Sequence, residues 1–303
     1  MAGSGKWFEE IASSKFSSTV IESLLRKLDR RKPAGVDKIH PFILSECSSS
    51  LSLPISLIFS KSYDEGKITV SWSLANISPI FKKKGSKVTA ENYRPVSLTS
   101  VLCKVMEKII RSSMLGFLVS NELISPNQHG FVFSKSCATN LLESLDIITH
   151  AMSKRHEVIM VLLDFAKAFD KVCHEHLLTK IKALGFDDKT VNWIKAFLSN
   201  RQQRVVMGMC ASGWKKVLSG VPQGSVLGPL LFVILVNDMP LLVHHFCKLF
   251  TDDTKLIAIV RSADDRYMLQ KDLDKLTKWS HEWLMCFNED KCRVVYFDRR
   301  RRN

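Results

Sequence analysis

The sequence has no apolar run long enough to cross a bilayer. Its longest uninterrupted one, Leu230 to Val236, falls far short of the ~18 residues a spanning helix needs. The N-terminus, MAGSGKWFEE, lacks the apolar segment of a secretory signal. A membrane-spanning or secreted chain is not expected. No CxxC pair occurs among the cysteines at 47, 103, 137, 173, 210, 247, 286 and 292. Disulfide scaffolds and zinc ribbons favour close, paired spacings. These thiols therefore read as reduced, in an intracellular protein of the cytoplasm or nucleus, mostly buried as small hydrophobes. His174 and His176 form an HxH without further ligands at metal spacing, and read as a helix start rather than a zinc site. Acidic residues are also in deficit, 30 against 44 Lys and Arg, a net charge of +14. Such a charge concerns partners rather than fold, and nucleic acid is the commonest intracellular polyanion.

A length of 303 residues with 46% hydrophobic and 24% charged side chains suits one large globular unit or two packed subdomains. Residues 19–30 read as an amphipathic helix opened by a capping box, Thr19 with Glu22. Further helices are expected over 51–65, over 99–119 with Val105, Ile109 and Leu115 on one face, and near 138–153. Residues 77–81 read as a short strand running into the basic loop Lys82-Lys83-Lys84. Val158 to Phe165 is an apolar stretch of strand length, broken only by Asp164, which it delivers among apolar neighbours. Helices around 177–184, stopped by Gly185, and 191–198, capped by Asp187 or Asp188, come next. A hairpin of 204–207 with 214–218 precedes a loop punctuated by Gly220, Gly224 and Gly228, then an apolar helix with Pro229 in its first turn. Strands at 246–250 and 254–260 flank the turn Thr251-Asp252-Asp253. A helix with Leu269, Leu273, Leu276 and Trp283 on one face ends near Asn288, and 293–297 closes as a strand. Arg299 to Arg302 form a short basic tail.

Three carboxylates carry chemical weight: Asp164 at the end of an apolar strand, and Asp252 with Asp253 at a hairpin tip between two apolar strands. Acids that converge repel one another unless cations neutralise them. Hard divalent ions with oxygen ligands are the natural occupants, and a pair of them serves in-line phosphoryl displacement. A basic chain with such a site points to nucleotide transfer on a nucleic acid, polymerase or nuclease.

The segments LLDFAKAFDKV (162–172), GVPQGSVLGPLLFVILVND (220–238) and FTDDTKL (250–256) resemble the three central palm motifs of reverse transcriptases of the non-long-terminal-repeat, LINE-type group. PAGVDKIHPFIL (33–44), NYRPVSLTSVLCKVMEKII (92–110), NQHGF (127–131) and KWSHEWLMCFNEDKC (278–292) fall around them in family order. The resemblance covers about 32–297. It implies an α+β fold, a right-hand polymerase palm whose antiparallel sheet packs on helices, with helical and β fingers and with the thumb missing. The implied divisions are an N-terminal extension and helix (1–30), a fingers-like region (31–157), the palm (158–298, with 171–219 partly a fingers–palm connection) and the basic tail (299–303).

The resemblance further implies that Asp164, Asp252 and Asp253 hold two Mg²⁺ ions, with Mn²⁺ as a substitute, and that Lys291 protonates the leaving pyrophosphate. Arg94 would contact the triphosphate, and Gln223 and Gly224 the incoming nucleotide and template base. Phe169, five positions after Asp164, would lie beneath the sugar and exclude a 2′-hydroxyl. Phe250 and Thr251 would lie beside the primer terminus, Thr251 replacing the usual alanine; Val132 stands where relatives carry a basic residue. The implied partners are an RNA template, a DNA primer and deoxynucleoside triphosphates, with no membrane and with an endonuclease supplied in trans. The expected activity is RNA-directed DNA synthesis. Three alternatives stand beside it: a truncated remnant that only binds nucleic acid, an RNA-dependent RNA polymerase, disfavoured by Phe169, and a nuclease, for which no water-positioning groups are apparent.

Overall fold

The computed structural model describes residues 7–298; the first residues and the Arg299 to Arg302 tail lie outside the described residues. In chain order, α1 (Ser18–Arg26), α2 (Pro41–Glu46), α3 (Ser48–Glu65) and the single turn α4 (Val70–Ser73) lead into β1 (Leu74–Phe81) and β2 (Tyr93–Leu98). The long helix α5 (Val101–Ser120) is followed by α6 (Cys137–Ser153), β3 (Glu157–Leu163) and the one-turn α7 (Ala168–Lys171). Next come α8 (His174–Ala183), α9 (Asp188–Leu198) and the strands β4 (Gln202–Met207), β5 (Cys210–Ala211) and β6 (Lys215–Lys216). The chain ends with α10 (Gly228–Val236), α11 (Met239–Leu242), β7 (Phe246–Phe250), β8 (Asp253–Val260), α12 (Ala263–Glu282) and β9 (Arg293–Phe297). Among the described residues no helix is long and apolar enough to cross a membrane.

The chain forms two compact units of mixed α and β structure, each assembled from two separated stretches. The first comprises 1–121 and 174–228, the second 122–173 and 229–303. These units do not coincide with the sequence divisions at 31–157 and 158–298.

In the first unit, β2, β1, β4 and β5 lie side by side, with β6 also paired to β4. β1 and β4 run parallel, the remaining pairs antiparallel. The capping box expected at Thr19 does not form. Helix α1 begins one residue earlier, behind Ser17, and Glu22 instead pairs with Arg26 one turn on at 2.7 Å, an arrangement the helix spacing favours. The Asp187 cap does form, accepting from the Thr190 amide at 3.0 Å. On α5 the buried face carries Val105, Ile109, Met114 and Leu118, and Leu115 is only half-buried. The 204–218 hairpin is tighter than its sequence suggests. β4 turns at Gly208, whose φ is +58°, to pair with β5, and separately receives β6. At the head of α8, His174 Nε2 lies 2.8 Å from the Gly220 carbonyl oxygen, a structural contact.

In the second unit, the antiparallel order β7-β8-β3-β9 places β3 between two partners. Helix α6 covers this sheet, its Ile148 and Ala151 packing with Val158 and Ile257. Helix α10 is buried along Leu230 to Val236, as an all-round apolar helix must be. The eight cysteines are free, but only Cys103 and Cys247 are buried, which corrects the expectation of mostly buried thiols. Cys47 and Cys137 sit at helix ends, Cys210 on the short strand β5 and Cys286 in the segment after α12, all exposed positions.

Helix α12 ends at Glu282 rather than near Asn288. Its inward face includes the buried acid Asp272 beside Leu269, Leu276 and Trp279. Asp272 Oδ2 accepts from the His244 amide (2.9 Å), the His245 amide (3.0 Å) and His245 Nδ1 (2.8 Å). One carboxylate thus terminates α11 and starts β7. Burial pushes its carboxyl pKa up, but these hydrogen bonds outweigh that and hold it below the usual carboxylate value. Its stabilisation is therefore present above the unfolded carboxylate pKa of about 4 and is lost as pH falls through the lower folded value. Asp272→Ala is expected to cost about 3 kcal/mol at pH 7, since buried donors lose their acceptor, and the difference from the unsubstituted chain should narrow below pH ~4. Urea denaturation across pH measures both; equal midpoints at pH 7 would refute the role.

Candidate active site

The second unit's sheet brings the acids together through register. β3 pairs antiparallel with β8, and the last pair is Leu163 with Thr254. Asp164 and Asp253 are the next residue of each strand beyond that pair, near enough that the Asp164 charge raises the Asp253 pKa. The β7–β8 hairpin closes on Phe250 with Asp253, leaving Thr251 and Asp252 as a two-residue turn. Asp253 is therefore the first residue of β8 rather than part of the turn.

Thr251 adopts φ +60°, a left-handed conformation unfavourable for a β-branched residue. The segment 127–131 holds it there. Gln128, fully buried, accepts at Oε1 from the Gly130 amide (2.7 Å) and the Thr251 amide (3.2 Å). The His129 amide donates to Leu249 O at 2.9 Å, and the Leu249 amide to Asn127 O at 2.9 Å, so this loop lies along β7 like a further strand. Gly130 passes so close that a Cβ there would sit 2.3 Å from Thr251 Oγ1 and 2.5 Å from its amide nitrogen. The sequence offered NQHGF only as a motif, and its bracing of the turn was not legible.

Lys291 arrives by a parallel device. The Ala166 amide donates to Cys286 O (2.9 Å) and the Asn288 amide to Asp164 O (2.7 Å). Phe165 stacks on Phe287 at 4.8 Å. These contacts bring Lys291 Nζ to 3.0 Å from Asp164 Oδ1. Burial, together with repulsion from Asp253 and Asp164, raises the pKa of Asp252, though its own backbone hydrogen bond and Lys291 oppose this. Burial and Asp164 raise Asp253, against Lys255 and Lys291. Among the described residues no three His, Cys, Asp or Glu side chains form a ready-made metal cage. The chemistry of Asp164, Asp252 and Asp253 nevertheless suits a hard divalent cation: mutually repelling, desolvated carboxylates are what such an ion stabilises.

Phe169 lies on α7, half-buried, its ring stacked on Phe232 at 4.9 Å and 20°. Lys167 at φ +54° turns the chain into α7 and so aims this ring. Phe250 is half-buried at the end of β7.

The other sequence candidates belong to the first unit. Arg94 is exposed on β2. Three residues on, the Ser97 amide donates to Gln223 O at 2.7 Å. Gly224, at φ +107°, packs so that a Cβ would come 2.9 Å from Ser97 O. The same loop is anchored by Glu107, fully buried on α5, whose Oε2 accepts from the Val226 (2.6 Å) and Leu227 (2.9 Å) amides. An acid in an otherwise apolar helix face was the available signal for Glu107.

Gly130→Ala is expected to cost about 1–3 kcal/mol, because the added methyl meets the Thr251 backbone and must displace it. The readout is the urea midpoint. A midpoint equal to that of the unsubstituted chain would show that 127–131 does not brace the turn.

The family described as reverse transcriptase (RNA-dependent DNA polymerase) matches residues 81–302. The chain is 30% identical over 293 residues to the RNA-directed DNA polymerase from mobile element jockey of Drosophila melanogaster, covering 92% of this chain and 31% of that protein. It is 28% identical over 289 residues to the probable RNA-directed DNA polymerase from transposon X-element of the same fly, covering 93% and 32%. It is 26% identical over 175 residues to the Pol polyprotein from type-1 retrotransposable element R2 of Popillia japonica, covering 57% and 24%. The chain thus spans about a third of the length of the first two. With a family match over most of its length, this chain belongs to the reverse transcriptases, in the group carried by non-long-terminal-repeat retrotransposons.

Proposed function

We propose that this chain carries out RNA-directed DNA synthesis, extending a DNA primer on a retroelement RNA with deoxynucleoside triphosphates. The observation that carries this reading is the β3–β8 register, which sets Asp164 against Asp253 beside Asp252, with Lys291 Nζ 3.0 Å from Asp164. In this reading the second unit is the palm and the sheet of the first belongs to the fingers. Asp164, Asp252 and Asp253 would hold Mg²⁺, or Mn²⁺ in its place, which when bound supplies Lewis-acid activation of the primer 3′-hydroxyl and stabilises charge on the leaving oxygen.

The chain's own side chains do the rest. Lys291 holds a proton at Nζ for the leaving pyrophosphate, an acid–base role suited to an ammonium already beside the acids. Phe169, fixed by its stack on Phe232, presents a ring to the sugar and leaves no room for a 2′-hydroxyl. Arg94 meets triphosphate oxygens, for which a planar guanidinium is suited. Gln223 and Gly224 contact the nucleotide and template base, the glycine allowing close backbone approach. Phe250 and Thr251 lie beside the primer terminus.

Asp252→Asn is expected to abolish primer extension on an RNA template while leaving template binding nearly unchanged. Extension at the unsubstituted rate would reject the assignment of the acids, and binding without extension by the unsubstituted chain would favour a remnant that only binds nucleic acid. Phe169→Val is expected to raise ribonucleotide incorporation relative to deoxynucleotide; unaltered sugar selection in the same assay would reject the gate.

A further inference from the structure

The positive charge is concentrated in one place. Residues 74–98 and 199–219 hold nine Lys and Arg but a single acid, Glu91. These two stretches carry the first unit's sheet. Arg201 is buried. The other eight are exposed or half-exposed, and among the described residues none of them is ion-paired with a carboxylate.

Strand register selects which of them share a face. Asn76 on β1 pairs with Arg204 on β4, and Ile80 with Arg94 on β2. Gln202 pairs with Lys216, and Gln203 with Lys215, so Trp214 is the next residue opposite Arg204. Because side chains alternate between faces, Asn76, Ile80, Arg94, Arg204, Trp214 and Lys216 project from the same side. The contacts agree. Arg204 Nε donates to Asn76 Oδ1 at 2.9 Å, and its guanidinium lies 4.5 Å from the Trp214 ring centroid. An arginine tied down at Nε thereby fixes the plane of a partly exposed indole, 37% accessible.

A fixed aromatic plane flanked by unneutralised cations suits unpaired nucleotides, whose bases stack while their phosphates meet Arg and Lys. A duplex offers the phosphates but keeps its base faces occupied. We propose that this face is a stacking platform for single-stranded RNA template, with a base on Trp214 and neighbouring phosphates on Arg204 and Lys216. It is separate from Arg94, which lies four residues, or about 13 Å, along the sheet. The proposal rests on the RNA-directed reading above in naming the strand as template.

The test is binding of a labelled, unstructured RNA 20-mer to the full chain, followed by fluorescence anisotropy across a KCl series in EDTA, without primer or nucleotide. Trp214→Ala is expected to weaken binding about tenfold, in line with the loss of one base–aromatic stack, with the salt dependence unchanged. Trp214→Leu, which keeps apolar bulk but no aromatic plane, should lose as much, and Trp214→Phe should retain most of the affinity. Lys216→Ala should instead flatten the log–log salt slope by about 0.7. Affinity for a blunt RNA duplex should be insensitive to all three Trp214 substitutions. Undiminished single-strand binding by both Trp214→Ala and Trp214→Leu, or an equal loss on duplex, would overturn the platform. No catalysis enters this assay, so its failure leaves the acid site untouched, and an inactive polymerase that still loses binding on Trp214 substitution would leave the platform standing.

Discussion

The pairing of β3 with β8 is the constraint on which the rest of the site depends. A strand register is quantised: a slip of one residue would turn Asp164 to the other face of the sheet and leave Asp253 opposite an apolar side chain. Both strands are buried on both faces, with Val158, Ile159 and Val161 on β3 and Leu256, Ile257 and Ala258 on β8 in the core, so a slip would force repacking on both sides of the sheet. Chemistry at the strand ends is thus secured by packing along their length, and α6 adds to it by covering the sheet through Ile148 and Ala151.

Holding acids together has costs that the surrounding structure offsets. Desolvation and repulsion raise Asp252 and Asp253, and Thr251 between the strands sits in a left-handed conformation. Two segments distant in sequence compensate. The loop 127–131 lies along β7 and gives the turn its hydrogen-bond acceptor, Gln128 Oε1. The segment 286–288 runs beside 164–166 and delivers a cation, Lys291, to the same point. Backbone pairing supplies the geometry in both cases, and a single side chain supplies the electrostatics.

Much of this was legible in the sequence. The apolar run ending in Asp164, the DD flanked by short apolar strands and the glycine-punctuated loop before Pro229 each have a local physical signature, and the elements formed where those signatures lie. What escaped were interactions made at long sequence separation. Gln128 and Glu107 act by accepting backbone amides 123 and 120 residues away, and Asp272 caps a turn 27 and 28 residues before it. No periodicity reports such bonds; only an acid or amide on an apolar face hints at them. Thr19 does not cap for a local reason: the helix starts at Ser18, behind Ser17, so Thr19 already lies inside its first turn. Cysteine burial follows position in the fold more than residue type, so composition alone does not report it.

Cation binding by the three acids is the central claim, and it is open to direct measurement without any reaction. Mn²⁺ titrated into the chain and followed by electron paramagnetic resonance should be taken up by the unsubstituted protein. Uptake should be lost in Asp164→Asn and in Asp253→Asn alike, although these residues lie 89 positions apart in the chain. Equal Mn²⁺ uptake by either variant and the unsubstituted chain would contradict the account.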